Sequence, residues 1–136
     1  MSLISRTLVH EAIYNAIKTA LDGSGLLEVY GILPPQDEAL PYARYNTFGD
    51  IPQYSISDDE SLDIQVQVSY FGKEEDGSAD LFDYADILIA ALDRVNNVID
   101  IDGYNNSLVF FTTAGTLTFE DGDILQLRQE FNLQAY

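Results

Sequence analysis

Ser61-Leu62-Asp63-Ile64-Gln65-Val66-Gln67-Val68-Ser69-Tyr70-Phe71 is the stretch on which the fold turns. Leu62, Ile64, Val66, Val68 and Tyr70 alternate with Asp63, Gln65, Gln67 and Ser69 in a strict period of two. That period marks a β-strand with one buried face and one wet face. Such a strand belongs to a sheet covered on one side only, and the rest of the chain must supply the cover. Two amphipathic helices can do so. In the first, Ile4, Leu8, Ala12, Ala16 and Ala20 recur every fourth residue beside Ile13, Ile17 and Leu21, until Asp22-Gly23-Ser24-Gly25 stops the helix. In the second, Leu81, Ala85, Leu88, Ile89, Leu92 and Val95 form the apolar face. Ser78 is a candidate N-cap there, Asp80 and Asp83 sit where the helix dipole favours negative charge, and Asn96-Asn97 suits the end.

Other strands fall on either side of the second helix. Leu26 to Ile32 is short and apolar and ends at Pro34-Pro35, and a second extended run starts at Pro41-Tyr42 and continues to about Phe48. Val98 to Ile101 and Tyr104 to Thr113 flank Asp102-Gly103, a dipeptide that favours hairpin turns. Thr116 to Phe119 is an extension of that strand or a short separate one, and Glu120-Asp121-Gly122-Asp123 turns the chain again. The final strand, Ile124 to Ala135, alternates Leu125, Leu127, Phe131 and Leu133 against Gln126, Arg128, Glu130 and Asn132. The expected order is α-β-β-β-α-β-β-β: an α+β fold with two helices packed on one face of a mainly antiparallel sheet. Residues 1–136 are expected to form a single domain.

Composition narrows the function. Six Lys and Arg stand against 23 Asp and Glu, a net charge of −17, yet 46% of residues are hydrophobic, so the acidity is not that of a disordered chain. Six scattered cations argue against nucleic acid and against anionic membranes. With no cysteine there is neither a disulfide framework nor a thiolate metal site. The longest apolar run, Ile87 to Leu92, is far too short to span a bilayer, and Met1 to Arg6 lacks the pattern of a secretory signal. The expected compartment is the cytoplasm, or a particle assembled there. The negative charge is uneven: residues 1–48 hold 3 basic and 5 acidic side chains, residues 49–136 hold 3 and 18.

No constellation points to catalysis. His10, the single histidine, lies at the border of the first helix's apolar stripe and is expected to be structural or superficial. No nucleophile elbow or phosphate loop occurs, and Gly23-Ser24-Gly25 is a helix stop. Placing Gly103 at the invariant glycine of a calcium loop would put Val98 and Val109 at the first and twelfth ligand positions, which excludes that loop. The acidic runs Asp58-Asp59-Glu60, Glu74-Glu75-Asp76 and Glu120-Asp121-Gly122-Asp123 fall in expected turns, where carboxylates are solvated. The chain is expected to be no enzyme and to need no cofactor or metal.

Tyrosine is the more informative residue, because it joins large apolar area to a polar tip and is enriched at protein interfaces. Tyr42 and Tyr45 suit packing on the sheet. Tyr54 lies in Gly49 to Glu60, a stretch without periodicity that contains Pro52 and resembles a functional loop. Tyr54, Asp58, Asp59 and Glu60 are therefore the candidate partner-contact loop.

Val29-Tyr30, Pro34-Pro35-Gln36 and Leu40-Pro41-Tyr42 form a strand ending in an aromatic, then Pro-Gln, then Pro-Tyr, after one amphipathic helix. This arrangement resembles the tail completion family of long-tailed bacteriophages, also described as tail terminators or tail-to-head joining proteins. The resemblance rests on Tyr30, Pro35, Gln36, Pro41 and Tyr42, and in element order extends from Ile4 to about Ala135. It implies a structural role in the virion, at the tail–head junction, for a homo-oligomeric, hexameric ring assembled in the host cytoplasm. The implied partners are the tail-tube protein and the head-completion or connector protein. The charge also suits an acidic inhibitor or immunity-type protein bound to a basic partner, though that alternative leaves the Pro-Gln and Pro-Tyr elements unexplained. A small hydrolase using paired carboxylates has still less behind it.

Overall fold

A computed structural model gives the chain helix α1 (Arg6–Leu21), strands β1 (Glu28–Tyr30), β2 (Tyr42–Tyr54) and β3 (Glu60–Lys73), a 3-10 turn (Glu74–Asp76), helix α2 (Ala79–Leu92), and strands β4 (Ser107–Glu120) and β5 (Ile124–Ala135). The described residues are 6–23, 28–30, 40–54, 60–101, 104–120 and 123–136. The strands form one sheet in the order β1-β2-β3-β5-β4. Every pairing is antiparallel except the edge pair β1–β2, which is parallel. The α+β architecture read from the sequence is the one observed.

The decisive strand is buried in the expected phase. Ile64, Val66, Val68 and Tyr70 are each no more than 1% exposed. Register aligns them with the inward residues of β5, pairing Ile64 with Leu133, Val66 with Phe131 and Tyr70 with Leu127. Helix α1 lays Val9, Ile13, Ile17 and Leu21 into this core, and α2 contributes Leu81, Tyr84, Ala85, Leu88 and Leu92. The deepest line of α1 is thus Val9 to Leu21, while Ala12, Ala16 and Ala20 sit at its half-buried flank beside Ala91. At Gly72 a Cβ would lie 3.1 Å from Leu81, so the bare backbone lets α2 come close to β3.

One inward position of β5 is polar. Gln129 is fully buried between Leu127 and Phe131, opposite Val68. Its Oε1 accepts a hydrogen bond from the Tyr70 hydroxyl, and its Nε2 donates to the carbonyls of Ala85 at 3.3 Å and Ala114 at 3.4 Å. One side chain therefore ties together β3, β5, α2 and β4, with its own amide satisfied on both sides. Burial raises the Tyr70 pKa well above the usual 10.

Several local expectations change. Gly49 to Tyr54 is not a loop: β2 runs on to Tyr54, which pairs with Glu60. A register shift between Phe48 and Ile51 takes up one extra residue at Gly49-Asp50. Pro52 is tolerated because, among the described residues, β1 covers β2 only from Tyr42 to Arg44 and the rest of β2 is an edge strand that need not donate outward. Val98 to Ile101 is not a strand, although Ile99 and Ile101 are buried. This segment is tied to β4 by the Ser107 hydroxyl, which donates to the Ile99 carbonyl at 2.6 Å, and the residues just before it run along the same edge. There Arg94 N–H donates to the Val109 carbonyl at 2.8 Å, Ser107 N–H to Asn97 Oδ1 at 2.7 Å, and Phe111 N–H to Asp93 Oδ1 at 3.1 Å. Side chains thus occupy donors that would otherwise invite another strand.

Thr116 to Phe119 continues β4, whose irregularity comes from two register shifts, at Phe111/Thr113 and Thr113/Thr116. Helix α2 ends at Leu92, so Val95 lies beyond it and is 40% exposed, and Ser78 precedes it without a side-chain cap bond. The proposed hairpin turn at Asp102-Gly103 lies outside the described residues.

Two outcomes are expected in urea unfolding. Tyr70→Phe and Gln129→Leu should each lower stability by about 1–3 kcal/mol, by leaving a buried polar group unsatisfied. The double variant should lose less than the sum, since both ends of the Tyr70–Gln129 bond then go together. The pH dependence has a defined sign. Above pH 10 the unfolded chain releases tyrosine protons that folded Tyr70 retains, so stability falls as pH rises. Tyr70→Phe should flatten that alkaline loss, measured as the urea midpoint against pH.

Candidate functional site

The residues singled out in the sequence lie in two places. Tyr54 and Glu60 close the β2–β3 hairpin, opposite one another in the ladder. The β3–β5 pairing stops at Leu62, so this hairpin outruns β5 by two residues. Tyr54 and Glu60 of the candidate contact element are therefore paired strand residues, and Asp58 and Asp59 lie outside the described residues. Tyr30 ends β1 and pairs with Arg44, Pro41 follows a cis peptide bond, and Tyr42 opens β2. Pro35 and Gln36 lie outside the described residues.

Tyr42 shows why the motif matters locally. Its ring stacks on Phe71, its cross-strand partner, with centroids 4.9 Å apart, and the Arg44 guanidinium lies 5.2 Å from the same Phe71 ring. Tyr45 points the other way, into the core, where its hydroxyl donates to the His10 carbonyl at 3.2 Å. Burial, and secondarily Tyr14, raises the Tyr45 pKa. The His10 backbone thus has a structural task. Among the described residues, no three His, Asp or Glu side chains are grouped closely enough to hold a metal ion.

Among the described residues, both helices pack on one face of the sheet; the other carries Tyr42, Arg44 and Asn46 of β2, Gln65, Gln67, Ser69, Phe71 and Lys73 of β3, and the even-numbered residues of β5, with Gln65, Lys73 and Arg128 exposed and Ser69, Phe71 and Gln126 buried. Register sets these in cross-strand rows. Arg44, Ser69 and Arg128 are directly opposed, as are Asn46, Gln67 and Glu130, and Tyr42, Phe71 and Gln126. Three of the chain's six cations, Arg44, Lys73 and Arg128, stand on this face; its described acids are Asp63 and Glu130. Among the described residues the Arg44 Nε is shielded from solvent and has no hydrogen-bond partner. Sequence reading identified the wet phases of β3 and β5 but not this row, because alignment across three strands appears only with their register.

The opposite outer surface is the exposed side of α2. Asp80, Asp83 and Asp86 are exposed there, and α2 has no basic residue. Phe82 and Ile87 lie among them at 42% and 37% exposure. The Tyr84 pKa is raised first by burial and then by Asp80 and Asp83. Between α1 and α2 runs a shallow groove of about 360 Å³ lined mainly by Ala12, Ala16, Ala20, Ala91 and Val98.

No family model and no curated protein matches the sequence. The fold does have solved counterparts. One, with no functional description, is 19% identical with a TM-score of 0.69, and the match covers 97% of this chain and 96% of that one. Another is a chain of the virion of a native gene transfer agent particle, 12% identical with a TM-score of 0.63, covering 97% and 94%. At these identities the likeness is one of fold, and it extends over essentially the whole of both chains.

A buried, unpaired guanidinium nitrogen costs stability, so Arg44 has no evident value to the isolated fold beyond its contact with Phe71. Arg44→Met, which keeps a flexible apolar stem over that ring, is expected to leave stability unchanged or raise it by up to about 1 kcal/mol. Thermal melting checks this; a sharp fall would mark Arg44 as structural.

Proposed function

We propose that this chain is a phage or prophage tail completion protein. It caps the finished tail tube as a ring, hexameric in the assembled particle, and forms the surface on which the head docks. Its place is the tail–head junction of the virion, reached by assembly in the host cytoplasm. Its partners are the tail-tube protein and the head-completion or connector protein, and its work is structural, with no catalysis or cofactor. The observation that carries this reading is the end-to-end fold likeness to a chain of a gene transfer agent virion. The finer assignment to tail completion draws on the Tyr30, Pro41 and Tyr42 elements at the β1–β2 edge and on the order of helices and strands.

The architecture suits the role. A ring is built from heterologous contacts that close by rotation, and this protomer has two dissimilar outer surfaces, one on each layer. The β2–β3 arm, which extends beyond β5, is the element available for a neighbour along the ring axis. The −17 charge steers docking onto basic partner surfaces.

Mixing the protein with its cognate tail-tube protein should yield capped tubes of arrested length, seen as a discrete boundary in sedimentation; tubes that grow unaltered overturn the reading. Combined Tyr54→Ala, Asp58→Ala and Asp59→Ala should impair head joining with little change in melting temperature. The charge also favours a second reading, an acidic inhibitor. A tight, salt-sensitive 1:1 complex with a basic nuclease, together with failure to cap tubes, would put it first.

A further inference from the structure

We infer that the sheet face opposite the helices, through the half-buried Arg44 and the exposed Arg128, receives the acidic outer side of α2 from a second copy of this chain. This deepens the ring reading above by naming the two surfaces that meet. The first observation is charge. In a chain of −17, half the cations stand on one sheet face, while the outer side of α2 carries Asp80, Asp83 and Asp86 with no cation on the helix. Among the described residues, neither Arg44 nor Arg128 is in an ion pair within its own protomer.

The second observation is the Arg44 Nε, shielded yet unpartnered within the protomer. A partner carboxylate on the exposed part of that guanidinium would engage it in the fork geometry that arginine favours. The third is dimension. Arg44 and Arg128 flank Ser69 across three strands, two strand spacings or about 10 Å apart. Asp80, Asp83 and Asp86 climb α2 at intervals of three residues, spanning about 9 Å along the helix axis.

Apolar area completes the match. Phe82 and Ile87 are large and exposed beside those carboxylates, and the half-buried Tyr42, stacked on the buried Phe71, lies next to the arginine row. Aromatic and arginine residues at the centre, with charge matched across the contact, are the usual make-up of an interface that carries binding energy. The two surfaces lie on opposite layers, so one contact leaves each copy with a free surface of the other kind. Such a contact propagates head to tail and closes into a ring when the rotation allows.

Charge reversal tests the pairing. Arg128→Glu and Asp86→Arg are both exposed substitutions, and melting curves verify that each variant folds. Sedimentation of wild type at low salt should show assembled species, and each single variant should weaken association by at least about tenfold. An equimolar mixture of the two should reassemble by alternation. Each contact then joins either the two substituted side chains, again of opposite sign, or the native Arg128 and Asp86. Because the chain has no cysteine, a chain carrying both Arg128→Cys and Asp86→Cys should give a ladder of disulfide-linked multimers on oxidation. Wild-type assemblies unmoved by either reversal overturn this surface and leave the ring reading standing. A wild type that stays monomeric, with no disulfide ladder from the cysteine variant, overturns the contact. In that case the tube-capping experiment decides the ring by itself.

Discussion

The buried amide of Gln129 is the constraint on which the rest of the structure depends. Placed in the inward phase of β5, it would be costly without partners, and it finds them on three other elements: the Tyr70 hydroxyl of β3 and the carbonyls of Ala85 in α2 and Ala114 in β4. Apolar contacts alone would let α2 slide along the sheet. A buried amide with directed bonds permits one position, so it specifies placement as well as contributing stability. The position of α2 in turn fixes where its Asp80, Asp83 and Asp86 stand and which face of the sheet it packs on.

Much of this was legible in the sequence because period-two and period-four patterns report which side of an element is buried. The alternation of Leu62 to Tyr70 gave the correct inward phase of β3, and the recurring aliphatics of the two helices gave their number and order. Pattern failed where tertiary context overrides local signals. Gly49 and Pro52 look like strand breakers, yet a bulge absorbs the extra residue and an edge position tolerates the proline. Val98 to Ile101 has the composition of a strand, but its buried isoleucines pack in an irregular segment bound to β4 through Ser107 and held just upstream by Asp93, Arg94 and Asn97. Gln129 could have been noticed as the one polar residue in the inward phase between Leu127 and Phe131. The arginine row could not, because it needs the register of three strands.

The acidity is likewise sharpened by being divided between layers. As a total, −17 gives the charge no position on the molecule. Resolved on the fold, it becomes a polarity: acidic on the outer side of α2, with cations gathered on the sheet face opposite the helices. A protomer with unlike surfaces on opposite sides is suited to ordered, directional association. The β4 edge, occupied in part by Asp93 and Asn97 side chains and broken by two register shifts, is a poor site for indiscriminate strand pairing.

The row of Arg44, Ser69 and Arg128 also bears on the timing of biosynthesis. Its members come from β2, β3 and β5, so the row does not exist in a chain whose synthesis has reached only α2. β5 is made after β2, β3 and β4, yet it lies between β3 and β4, and until it docks β3 has no neighbour on that side. A truncated or half-folded product therefore lacks the arginine row altogether. The row is thus completed only when β5 inserts between β3 and β4.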